Sequence, residues 1–133
     1  MVPSIAIICR DGSMNSFVSN FVVAMELKKI GADVSVILIQ EALSAIVKNK
    51  SEFSSLLRED REKILENLKK KGIPANPTEL IKAARNSGVK VFACSAWVKL
   101  LEIDGKLPPE IVEISLSDVV KIINEAEKVV GSL

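Results

Sequence analysis

Residues 4–9 read Ser4-Ile5-Ala6-Ile7-Ile8-Cys9, and the polar turn Arg10-Asp11-Gly12-Ser13 follows them directly. A short, nearly continuous apolar run of this kind is typical of a β-strand that is covered on both faces. From Met14 to Ile30 apolar residues recur near helical spacing, and Gly31 is a residue that commonly ends a helix. This first unit predicts a strand, a turn and a helix.

The same order of elements continues along the chain. Further apolar runs, each short enough for a strand, cover residues 33–39, 89–94, 110–114 and 129–130. Helices are predicted between them at 41–50, 51–71, 76–88, 95–101 and from Ser117 to about Lys128. Strands that alternate with helices form a parallel sheet between helical layers. We therefore expect a single domain over residues 1–133, with a three-layer α/β/α fold and a mainly parallel sheet of four or five strands.

The segment 51–71 is predicted to form one amphipathic helix. Its apolar residues share one face: Phe53, Leu56, Leu57, Ile64, Leu65 and Leu68. The mixed charges of residues 58–63 are typical of a solvated face with ion pairs one turn apart. Gly72 then ends the helix after three lysines.

The composition excludes several classes of function. The chain has 133 residues, 26% of them charged, and a formal net charge of +1. This charge gives no reason to expect nucleic acid or an anionic membrane as a partner. The chain contains no histidine, which excludes Ser-His-Asp and Cys-His catalysis and removes the commonest zinc ligand. The nucleotide-binding motifs G-x-G-x-x-G and G-x-x-x-x-G-K-[ST] do not occur either. Together with the absence of histidine, this predicts no metal and no cofactor.

The N-terminus does not resemble a targeting segment. Met1-Val2-Pro3-Ser4 lacks a basic region, and the apolar run after it is shorter than that of a signal peptide. No apolar run reaches the ~18 residues of a membrane span. We therefore expect a cytoplasmic protein, in which the two cysteines are reduced.

Each of the two cysteines lies at the end of a predicted strand. Ligands of open parallel sheets bind outside the carboxyl ends of the strands, where Cys9 and Cys94 are expected. Cys94 also precedes a predicted helix at Ser95, and backbone N–H groups at a helix start favour the reactive thiolate. The alternative is that Cys94 is a small apolar residue packed at the end of its strand.

Cys9 and the turn after it are weaker candidates. Cys9 continues the pattern of a buried strand, which favours packing in the core. If the first and third strands were adjacent, the two thiols could approach within disulfide distance. The turn formed by Arg10, Asp11, Gly12 and Ser13 could bind an anion before its helix, or it could be a plain turn capped by Ser13.

The chain resembles the DsrE/DsrF/DsrH-like sulfur-relay family. The resemblance rests on residues 5–13 and their following helix, on Gly31-Ala32-Asp33-Val34, and above all on Gly88-Val89-Lys90-Val91-Phe92-Ala93-Cys94-Ser95. In the members that carry sulfur, the cysteine after this strand accepts persulfide sulfur, and it matches Cys94. The resemblance implies a homo-oligomer, usually a trimer or hexamer, with sulfur-donor and sulfur-acceptor proteins as partners.

Three functions remain open at this point. The first is a persulfide carrier or sulfurtransferase-like protein in which Cys94 accepts sulfur beside the backbone amide of Ser95. The second is a non-catalytic oligomeric scaffold or small-ligand-binding subunit, and the third is a redox protein that uses both thiols. For the first we expect Cys94 to be partly exposed, near the turn at residues 10–13. We also expect an interface among Phe17, Phe21, Phe53 and Trp97 wherever these are exposed together.

Overall fold

The computed structural model describes residues 2–133, so Met1 lies outside the described residues. The strands are β1 (Ile5–Cys9), β2 (Val34–Leu38), β3 (Lys90–Cys94), β4 (Val112–Ile114) and β5 (Lys128–Gly131). They form one sheet in the order β4-β3-β2-β1-β5, and every neighbouring pair is parallel. The predicted parallel sheet and three-layer architecture are confirmed.

Helices connect consecutive strands. They are α1 (Met14–Lys29), α2 (Glu41–Lys48), α3 (Arg61–Lys70), α4 (Pro77–Asn86), α5 (Ser95–Leu100) and α6 (Leu116–Glu125), with a short 3-10 turn at Arg58–Asp60 before α3. The start of α4 is as predicted, because Asn76 accepts a hydrogen bond from the amide of Glu79 and Pro77 occupies the first turn. The last helix begins earlier than predicted: Ser115, not Ser117, is its cap.

The two faces of the sheet are covered unequally. On the first face, α1, α2 and α4 enclose a large apolar core that includes Phe17, Phe21, Leu43 and Leu80. On the second face, the smaller core contains Ala6, Ile37, Phe92, Cys94 and Ile114, together with Val119 and Ile122 of α6. Because α6 alone cannot cover the whole sheet, Val112 of β4 and Val129 of β5 remain exposed on this side, and α6 itself exposes Leu116, Val120 and Ile123. We call these five residues the α6 patch.

The prediction of one helix over 51–71 is wrong. Only residues 61–70 form an α-helix, and Leu56 is 83% exposed instead of facing the core. Residues 51–54 are held by the start of α1: the Ser51 hydroxyl donates to the Gly12 carbonyl at 2.8 Å, and the Ser54 amide donates to Asn15 at 2.9 Å. These long-range hydrogen bonds replace the local bonds of the predicted helix.

Candidate functional site

Cys94 lies at the junction between β3 and α5. It is the last residue of the strand and the N-cap of the helix, as the sequence predicted. Its side chain makes no capping hydrogen bond to the amides of α5. The Cys94 sulfur therefore lies at the start of α5 without a hydrogen bond to the helix.

The expectation of a partly exposed Cys94 is wrong for the single chain. The residue is only 2% exposed and belongs to the core of the second face, with Ile114 of β4 and Val119 of α6. The reason is the position of α6, whose apolar residues pack over this end of β3. Ser95 and Ala96, which follow Cys94, are half-buried.

The two thiols do not form a pair. Strand β2 lies between β1 and β3, so Cys9 and Cys94 are separated by two strand spacings, about 9.5 Å. Leu38 is in register with both Cys9 and Ala93, and Cys94 is therefore on the opposite face of the sheet from Cys9. An intramolecular disulfide needs a Cα separation of roughly 4.4–6.8 Å, and this geometry excludes it. Both cysteines are free and buried.

The turn at residues 10–13 is a structural junction. Ser13 caps α1 by accepting a hydrogen bond from the Ser16 amide at 3.3 Å, and Arg10 pairs with Asp11 at 3.5 Å on the surface. A Cβ on Gly12 would lie only 2.8 Å from the carbonyl oxygen of Glu41, so this position needs glycine for close packing against α2. The turn shares an edge of the sheet with Cys94, but β2 lies between them, and the two do not form one site.

A cleft beside this turn was not predicted from the sequence. It has a volume of about 350 Å³, and it is lined by Met14, Phe53, Leu65 and Ala75 together with Ser51, Glu52, Arg58 and Arg61. The cleft exists because residues 51–54 pack against the start of α1 rather than forming a helix. No sequence motif marks it, since its lining comes from four separate segments.

Cys9 lies beside a buried polar pair, Asn20 and Ser16, that was not predicted from the sequence. Asn20 and Ser16, on α1, face the first side of the sheet, where Asn20 Nδ2 lies 3.4 Å from Cys9 Sγ. Burial raises the pKa of the Cys9 thiol to about 12, and the carboxylate of Asp11 contributes to the rise. The Cys9 thiol is therefore protonated at neutral pH. The placement of Asn20 at helical spacing from Phe17 and Ala24 was the available signal for a polar residue in the core.

Among residues 2–133, no group of three or more Cys, Asp or Glu side chains is placed to hold a metal ion. No helix in that range is both long and apolar enough to cross a membrane.

Comparison with models of protein families places the chain in a known family. The model of the DsrE/DsrF-like family matches residues 4–131. The chain belongs to the DsrE/DsrF-like family. Among solved structures it is similar to the crystal structure of the YchN protein from E. coli, with a TM-score of 0.67, 16% sequence identity, and coverage of 96% of this chain and 97% of that one. No curated protein sequence matches it.

Membership in the DsrE/DsrF-like family accounts for the architecture of the chain. The match spans all five strands, from the residue before β1 to the last residue of β5. The similarity to YchN extends over nearly the whole of both chains and, at this low identity, concerns the fold. The roles of individual residues must be argued from the site itself.

Proposed function

We propose that this protein is a sulfur-relay protein, a persulfide carrier or sulfurtransferase-like subunit, in which Cys94 accepts and passes on sulfane sulfur. The observation that carries the proposal is the position of Cys94 in a chain of the DsrE/DsrF-like family, at the carboxyl end of β3 and the start of α5. Cys9 is the poorer candidate because its raised pKa keeps it protonated.

The chemistry requires only a thiolate and needs no histidine. The Cys94 thiolate attacks the terminal sulfur of a persulfide or polysulfide donor, a new S–S bond forms at Cys94 Sγ, and the donor leaves as a thiolate. An acceptor thiolate then attacks the outer sulfur of the Cys94 persulfide, and Cys94 leaves as a thiolate. Each step exchanges one S–S bond for another and consumes no external oxidant or reductant. The backbone amide of Ser95 lies next to the reacting sulfur along the chain and is proposed to stabilise the anion.

Reaction at Cys94 requires access to a buried sulfur. Val119 of α6 and Ile114 of β4 pack with it, so a displacement of α6 from the second face would open this end of β3. The α6 patch adjoins this region, and we propose that it is covered in a homo-oligomer, a trimer or hexamer. Sulfur-donor and sulfur-acceptor proteins in the cytoplasm would be the further partners.

Sulfur loading tests the proposal. Purified protein is incubated with polysulfide, and its intact mass is measured under non-reducing conditions. We expect an increase by the mass of one sulfur atom in the wild type and in Cys9→Ser, and no increase in Cys94→Ser. The two substitutions are matched, because each replaces one buried sulfur by oxygen.

The alternative function is a non-catalytic scaffold or small-ligand-binding subunit. The burial of both thiols favours it, since a packed cysteine needs no chemistry to explain it. In that case neither the wild type nor Cys9→Ser gains sulfur, whereas oligomer formation is unaffected by Cys94→Ser. If sulfur loading persists in Cys94→Ser and disappears in Cys9→Ser, Cys9 is the reacting thiol and the proposal is wrong.

A further inference from the structure

The strand order places a topological switch point between β1 and β5, and we call the space outside the carboxyl ends of these two strands the crevice. From β1 the chain passes through α1, on the first face, to β2; from β4 it returns through α6, on the second face, to β5 on the other side of β1. The connections at β1 and β5 therefore lie on opposite faces. In open parallel sheets, ligands bind outside the carboxyl ends of the strands at such a point.

This crevice is filled by the residues that follow β5. We call Ser132 and Leu133 the strap. The amide of Arg10, just after β1, donates to the hydroxyl of Ser132 at 3.4 Å. The hydroxyl of Ser16 donates to the carbonyl of Leu133 at 3.0 Å, and the amide of Leu133 donates to the Asn20 side-chain oxygen at 3.1 Å. The strap thus occupies the crevice through main-chain groups and one hydroxyl.

The floor of the crevice depends on the strap for its hydrogen bonds. Asn20 is fully buried and Ser16 is 3% exposed. Among the described residues, the Leu133 amide is the hydrogen-bond donor to Asn20 Oδ1. A buried amide oxygen without a donor is unfavourable, so departure of the strap requires another donor in its place. Asn20 Nδ2 lies 3.4 Å from both Ser132 Oγ and Cys9 Sγ, so the Asn20 side chain links the thiol to the strap.

We propose that the strap is an exchangeable plug in a ligand crevice, and that a ligand with peptide-like N–H and C=O groups takes its place. The Asn20 side chain offers an acceptor for the N–H, the Ser16 hydroxyl offers a donor for the C=O, and the Arg10 amide offers a donor for a hydroxyl. This arrangement fits the backbone of a short peptide with a small polar residue. When the strap leaves without a replacement, Cys9 becomes accessible. The inference concerns the other thiol and does not depend on sulfur transfer at Cys94.

Alkylation of Cys9 tests the plug, in a Cys94→Ser background that leaves a single thiol. Deletion of residues 132–133 is expected to raise the rate of iodoacetamide alkylation by about tenfold or more, since local opening replaces a closed state. Leu133→Ala is the matched control, because it keeps the main-chain hydrogen bonds of the strap and is expected to react as slowly as the undeleted chain. The peptide acetyl-Gly-Ser-Leu, added at millimolar concentration, is expected to slow alkylation of the deleted form.

Three results would overturn the proposal. The first is equally slow alkylation of the deleted and undeleted chains, both folded by circular dichroism, which would show that the core seals Cys9. The second is failure of the peptide to protect the deleted form. If the deletion prevents folding, the undeleted chain decides: plug opening predicts an alkylation rate that is insensitive to low urea. A rate that rises with the full urea dependence of global unfolding would be the third overturning result.

Discussion

At the scale of single residues, the two thiols differ in their surroundings. Cys9 is sealed in the first core beside the Asp11 carboxylate, and its pKa rises from 9.0 to about 12. Because the folded state holds this proton more tightly than the unfolded chain, Cys9 stabilises the fold fully below about pH 9.0. This contribution is lost as the pH rises through the folded-state pKa of about 12. Cys9→Ala lacks it.

The predicted result is a pH-dependent difference between two proteins. Urea unfolding of the wild type and of Cys9→Ala, measured at increasing alkaline pH, should show the advantage of the wild type shrinking through this window. Every other side chain is the same in the two proteins, so the difference between them isolates the Cys9 thiol. An advantage that stays constant throughout the window would mean that the Cys9 thiol ionises as freely in the fold as in the unfolded chain.

The cysteines also show how far the sequence determines a site. Their positions at strand ends could be predicted, because apolar runs and turn residues are local signals. Their separation could not, since it depends on β2 lying between β1 and β3 and on the register that places Leu38 beside both Cys9 and Ala93. The burial of Cys94 is likewise set by α6, which begins more than twenty residues later in the chain.

At the scale of elements, α6 is the helix that covers the second face, and its cap is exposed. Ser115 accepts a hydrogen bond from the amide of Asp118 at 3.1 Å. Ser115→Ala should therefore lower the free energy of unfolding by about 1 kcal/mol, as measured by urea denaturation. Ser87→Ala is the control: Ser87 is also exposed, but its hydroxyl donates to a carbonyl at the end of α4, and we expect a change within about 0.5 kcal/mol. Equal losses would show that the cap does not stabilise α6.

Local signals predicted the elements well wherever the neighbouring segments agreed with them. The caps and apolar spacing of α1 and α4 survive in the structure, and Val129-Val130 forms the predicted fifth strand. The segment 51–71 did not follow its own pattern. Phe53 is buried, but the hydrogen bonds of Ser51 and Ser54 to the start of α1 prevent the first half from becoming helical.

At the scale of the whole molecule, the exposed apolar surface differs from the expected one. Phe17, Phe21 and Phe53 are buried within the chain, and Trp97 is half-buried, so they do not form the predicted interface. The α6 patch takes their place, with Leu116, Val120 and Ile123 along one side of α6. A stripe of this kind in a homo-oligomer is covered by a second copy.

Light scattering tests this assembly. The wild type should form an oligomer at micromolar concentration, and Val120→Glu should dissociate it, because a carboxylate in an apolar interface is strongly unfavourable. Val23→Glu, on the exposed side of α1 and away from the patch, should leave the oligomer intact. A wild-type monomer, or equal dissociation by both variants, would contradict an interface at the α6 patch.

If Cys94, not Cys9, is the thiol that reacts with sulfur donors, the two cysteines must differ in reactivity. The most direct measurement is the rate of iodoacetamide alkylation at each cysteine of the wild type, followed by peptide mass from mildly acidic to mildly alkaline pH. Cys94 should be alkylated faster than Cys9 throughout, because the raised pKa of Cys9 keeps that thiol protonated. Faster alkylation of Cys9, or equally slow alkylation of both thiols at neutral pH, would contradict it.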